Sequence, residues 1–148
     1  MISQLTAGGL PPSVHGTDLK ELREKMGWGR RRQRLLEGLE EALELMAACG
    51  VARVYLDGSF VTDKDRLNHI DGCYDLAEDV TIEDLRHLVP IFPPSPSNRA
   101  EAKRRFGVDL FPAAATELGS GQPFLRFFQS DREGRGRGVH SVELRARR

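Results

Sequence analysis

The chain reads as a small α/β (α+β) protein, a mixed sheet with flanking helices. Three observations predict this. Leu35, Leu36, Leu39, Ala42, Leu43 and Met46 recur at helical spacing and form one apolar stripe. Short apolar runs at Val51 to Leu56, Ile70 to Leu76 and Val108 to Phe111 read as strands set between helical segments. The length of 148 residues, with 39% apolar and 30% charged side chains, suits one globular domain spanning 1–148.

The elements follow in order. Residues 1–16 hold Gly8, Gly9, Pro11, Pro12 and Gly16, and read as an irregular lead-in. Thr17-Asp18 can cap a short helix running to about Met26, with Gly27 and Gly29 ending it. The long helix with the apolar stripe comes next, and Gly50 stops it. Val51 to Leu56 is a buried strand, punctuated by Asp57-Gly58-Ser59. A polar connection leads to the strand Ile70 to Leu76. Thr81 to Leu88 reads as a capped helix. Pro90, Pro93, Pro94 and Pro96 then forbid regular structure. Asn98 to Phe106 is a small helix closed by Gly107, and Val108 to Phe111 a third strand. The end is expected to be a β-hairpin. Its arms are Phe124 to Gln129 and Val139 to Leu144, joined by a mobile loop at 130–138 and followed by a tail at 145–148.

Composition excludes several classes. Twenty-two basic and twenty-two acidic residues give a net charge of zero. That argues against coating nucleic acid by bulk charge, though not against a local basic patch. No apolar run approaches the ~20 residues that span a bilayer, so no membrane partner is expected. Met1 to Leu10 lacks the order of a signal peptide. Cys49 and Cys73 have neither zinc-type nor redox spacing, which suits reduced, buried thiols and a cytoplasmic setting. Gly134, Gly136 and Gly138 alternate with arginine but precede a strand, which is wrong for a dinucleotide fingerprint.

The chemistry concentrates in Val51 to Asp75. A Gly58-Ser59 turn leaving a buried strand exposes backbone N–H groups, a ready phosphate site. His69 and Asp71 lie two apart on the next strand, so they share a face about 7 Å apart along it. That suits ligands around a divalent cation. Asp75 lies about 13 Å beyond Asp71, too far to share that metal. Asp109 sits inside the apolar run Val108-Asp109-Leu110-Phe111. Burying a carboxylate there unpaired is expensive, and a neighbouring strand carrying Asp71 and a metal would account for it.

The pattern resembles the DNA polymerase beta-like nucleotidyltransferase superfamily. Gly58 and Ser59 match its Gly-Ser element. Asp71 matches the second carboxylate of its Asp-x-Asp, and Asp109 its third acidic position. A small, uncharacterised bacterial branch is similar more widely. The likeness runs over Leu10-Pro11-Pro12, an amphipathic helix, Tyr55 to Thr62, Ile70-Asp71-Gly72, Phe127-Phe128-Gln129 and Gly138-Val139. The resemblance implies a nucleoside triphosphate held on Gly58 and Ser59, and Mg²⁺ or Mn²⁺ held by Asp71, Asp109 and His69. It implies transfer of a nucleotidyl group to a hydroxyl of a protein, an RNA or a small molecule. It also implies a place in a toxin–antitoxin or defence module. The chain departs from the pattern at His69, where an aspartate belongs. Imidazole suits Mn²⁺ or Zn²⁺ better than Mg²⁺. The alternative is therefore a catalytically degenerate fold that binds a partner, such as a toxin.

Two charged features remain open. Arg30, Arg31, Arg32 and Arg34 open the long helix, where cations oppose the dipole. A phosphate-bearing partner would explain them, and so would a solvated face compensated by Glu37, Glu40 and Glu41. Arg126, Arg132, Arg135, Arg137, Arg145, Arg147 and Arg148 could contact RNA or form a flexible end. Phe124, Phe127 and Phe128 could stack bases or pack a core.

Overall fold

The computed structural model describes residues 14–57, 69–81, 95–130 and 138–144. The polar connection after Asp57, all but the first residue of the helix expected from Thr81 to Leu88, most of the 130–138 loop and the 145–148 tail lie outside these residues.

The first described element is a strand, β1 (Val14–Thr17). The lead-in was expected to be irregular through residue 16. Val14 to Thr17 instead pair in parallel with a strand near the other end of the described chain, which local composition cannot reveal. Asp18 caps α1 (Leu19–Met26), accepting from the Glu21 N–H at 2.8 Å. Leu22 and Met26 are buried. The long helix, α2 (Gly29–Cys49), buries the whole expected stripe from Leu35 to Met46. Gly50 follows it with φ of 102°, a left-handed conformation that closes the helix without the strain a side chain would bring.

Strands β2 (Val51–Leu56) and β3 (Ile70–Leu76) occupy the expected runs. Helix α3 (Pro96–Phe106) starts two residues earlier than the sequence suggests. Ser95 caps it, and Pro96 takes the first turn, where no N–H is needed. Strand β4 (Val108–Pro112) follows. The terminal hairpin is not formed. Its first arm is a short helix, α4 (Phe124–Phe128), and its second is strand β5 (Val139–Glu143), which pairs with β1 and β2.

The α+β class stands as expected. The five strands run in the order β1-β5-β2-β3-β4. β1 is parallel to β5 and β3 to β4, while β2 is antiparallel to both of its neighbours. Alternation along the strands gives the sheet two different faces. Val54, Leu56, Ile70, Tyr74, Val108, Leu110 and Val142 join α1, α2 and α3 in the main core. The opposite face carries a second, mostly aromatic cluster, with Tyr55, Cys73 and Val139 under Phe128. That second face also carries the acidic residues. Cys49 and Cys73 form no disulfide, and Cys73 is buried. No described helix is long and apolar enough to cross a membrane.

Candidate metal centre

Asp71 and Asp109 are brought together by register. β3 and β4 run parallel with Asp71 opposite Asp109. Both residues therefore project from the same face, the one that α1 and α2 do not cover. His69 precedes β3 by one residue, and its Nε2 lies 2.9 Å from Asp71 Oδ1. One ligand atom from each of His69, Asp71 and Asp109 lies within 4.8 Å of the other two. The three residues expected to hold a cation thus converge. Gly58 and Ser59, the expected phosphate turn, lie outside the described residues. Asp57, just before them, is buried, and its N–H donates to the Asp71 carbonyl at 2.9 Å. β2 therefore ends beside the acidic pair.

Sequence reasoning missed two residues here. Arg99 donates from Nε to Asp109 Oδ1 at 2.9 Å and from its terminal nitrogen to Oδ2 at 2.8 Å. This two-pronged contact matches the fork of a guanidinium to a carboxylate. Lys103, one turn further along α3, stands 3.6 Å from the same Oδ2. Both side chains reach Asp109 because β4 is the edge strand and α3 leads directly into it. Four-residue spacing puts Arg99 and Lys103 on one helix face, but only the packing of α3 on β4 says what that face meets.

The two carboxyls are displaced in opposite directions. Burial raises Asp71, Asp109 raises it further, and His69 and Lys103 only partly offset this, so its carboxyl sits above the ordinary range. Burial also works to raise Asp109. The Arg99 hydrogen bonds, with the charges of Arg99 and Lys103 and the neighbouring His69, outweigh that and hold it below the ordinary range.

The acidic pair forms one end of a cleft of about 680 Å³. Phe111, Phe124, Phe127 and Phe128 wall the other end. The Phe111 and Phe124 rings are stacked with centroids 4.2 Å apart, and Phe127 is 38% exposed. Arg99 lies over Phe111 at 4.9 Å and so joins the charged end to the aromatic one. Asp75 stands apart, accepting from the Tyr55 hydroxyl at 2.7 Å. Of the C-terminal arginines only Arg126 lies within the described residues.

An acidic pair at matched positions of parallel strands, with an imidazole beside it and an aromatic cleft in front, defines a mixed α+β protein with a cation-competent centre. The chain belongs to a family of unknown function, DUF6932, whose model matches residues 4–143. No curated protein and no solved structure matches it.

Proposed function

We propose that the protein is a metal-dependent nucleotidyltransferase-like enzyme, transferring a nucleoside monophosphate from a triphosphate to a hydroxyl of a protein, an RNA or a small molecule. The observation that carries this reading is the convergence of Asp71, Asp109 and His69 at the mouth of the aromatic cleft. Two carboxylate oxygens and an imidazole nitrogen fit a divalent cation, Mn²⁺ better than Mg²⁺. When bound, such a cation neutralises triphosphate charge and makes a hydroxyl more acidic.

The residues divide the remaining work. Asp109, fixed by Arg99, is a stationary anion that anchors the cation. Asp71 is the more basic carboxylate and is not clamped by an arginine, so it takes the acceptor's proton. The acceptor oxygen bonds to the α-phosphorus as the bond to pyrophosphate breaks. Gly58 and Ser59 hold the phosphates, and the Phe111–Phe124 pair offers a flat face to the base. The role in a toxin–antitoxin module is part of this proposal.

Titrating ATP, GTP, CTP and UTP with Mg²⁺ and with Mn²⁺ by calorimetry, alongside transfer of an α-phosphate label, tests the reading. Asp71→Ala and Asp109→Ala should each abolish metal-dependent binding and transfer. Unchanged binding and transfer in both would overturn it.

One observation favours the second reading, a degenerate centre serving a partner. Arg99 and Lys103 already supply at Asp109 the positive charge a cation would bring. If these side chains replace the metal, Arg99→Gln should raise Mn²⁺ affinity at least tenfold, seen as a larger Mn²⁺-induced rise in melting temperature than in the wild type. An equal or smaller rise counts against replacement.

A further inference from the structure

A second charged feature touches the surroundings of the acidic pair at Lys103, which also faces Asp109. Helix α2 opens with Arg30, Arg31 and Arg34, all exposed, and has no acidic residue in its first turn. Cations there oppose the helix dipole, so helix formation does not account for them. Helix α3 closes with Lys103, Arg104 and Arg105. The two basic ends meet because Gly38 lets the helices touch: a Cβ at position 38 would lie 2.1 Å from the Phe106 carbonyl oxygen. The six cations line one cleft of about 430 Å³, and no acidic residue lines it.

Acidic side chains pair with part of this cluster. Glu40 pairs with Arg23 across to α1. Glu41 reaches Arg105 at 3.6 Å, and Glu101 pairs with Arg104. Arg104 and Arg105 are thus partly neutralised, while Arg30 and Arg34 form no ion pair among the described residues. The whole chain is neutral, so this concentration comes from placement and not from composition.

An aromatic ring stands at the same end of α2. Trp28, the sole tryptophan of the chain, is 38% exposed. The guanidinium of Arg32, itself buried, lies 3.9 Å from its ring centroid and donates to the Met26 carbonyl at 3.4 Å. That contact holds one face of the indole at the start of α2, two residues before Arg30. A fixed, half-exposed ring next to a row of cations is the combination that engages single-stranded nucleic acid. The phosphates take the charge, and a base takes the ring. An acidic polypeptide would use the cations but would have no use for the ring.

We propose that the basic cleft between α2 and α3 binds the phosphate backbone of single-stranded nucleic acid, with Trp28 as a stacking platform for a base. The site shares Lys103 with the surroundings of the acidic pair but needs neither a divalent cation nor a nucleoside triphosphate.

The test is fluorescence titration of the full chain with a single-stranded RNA 12-mer and with polyglutamate of equal charge, in EDTA. The RNA is expected to quench Trp28. Its affinity should fall with salt at a log–log slope of about −2 to −3.5, the value for three to five phosphate contacts at roughly 0.7 each. Arg30→Glu with Arg34→Glu should weaken RNA binding at least tenfold while leaving the circular dichroism unchanged. Trp28→Ala, read by anisotropy of labelled RNA, should weaken it several-fold while leaving polyglutamate binding unmoved. Salt-independent binding, equal affinity in the charge-reversed variant, or polyglutamate binding as tightly as RNA would each overturn the proposal. Because EDTA removes the divalent cation, a failed metal centre does not affect the outcome.

Discussion

Asp71 and Asp109 sit opposite one another, yet their surroundings drive their carboxyls apart. The difference comes from Arg99, which grips one and not the other. It sets opposite pH dependences for stability. The folded state raises Asp71, so its contribution is present below the ordinary carboxylate value near 4 and is lost as pH rises through the raised folded value. The folded state lowers Asp109, so its contribution is present above that ordinary value and is lost as pH falls through the lowered one. At neutral pH, Asp71→Asn should therefore melt above the wild type and Asp109→Asn below it. The Asp71 difference should shrink as melting is measured toward pH 4, and the Asp109 difference only below it. A destabilised Asp71→Asn protein at pH 7 would refute the sign. The acidic pair was legible in the sequence because a carboxylate inside Val108–Phe111 is costly without a reason. Arg99 was not, because it sits among four arginines and lysines of an ordinary helix, and only tertiary packing distinguishes it.

At the scale of elements, patterns with a strong local signature emerged where expected. The α2 stripe, the β2 and β3 runs and the glycine that closes α2 are of this kind. Phe124 to Gln129 did not, and the reason is geometric. Aromatic residues favour strands by propensity, but a strand would send Phe127 to the opposite face from Phe124 and Phe128. A helical turn puts all three on one side. The Phe127 and Phe128 centroids then stand 6.3 Å and 6.1 Å from Phe124, and Phe124 and Phe128 join Phe111 in one cluster. Packing overrode propensity. The crossing of α2 and α3 makes a similar point at Gly38. In an isolated helix Gly→Ala gains about 1 kcal/mol. Here the added methyl would strike the Phe106 backbone, which cannot yield as a side chain does. Gly38→Ala should therefore lose roughly 1–3 kcal/mol in urea unfolding. A gain in stability would mean the helices do not cross as closely as described.

The whole molecule separates structure from chemistry by the two faces of one sheet. Helices α1, α2 and α3 join the main core on one face, while the acidic pair and its aromatic wall occupy the other. Strand alternation alone predicts that division, since Asp71 and Asp109 fall between core residues in each run. The position of β5 could not be read in the same way. It lies between β1 and β2, pairing Val14 with Val139 and Leu56 with His140. A chain growing from its amino end thus makes both neighbours long before the strand that joins them. Until residues 139–143 leave the ribosome, β1 and β2 each present an unpaired edge, and a nascent chain in that state is open to adding a strand from another molecule. The cell's chaperones would meet this protein chiefly in that interval, before its last described strand closes the sheet.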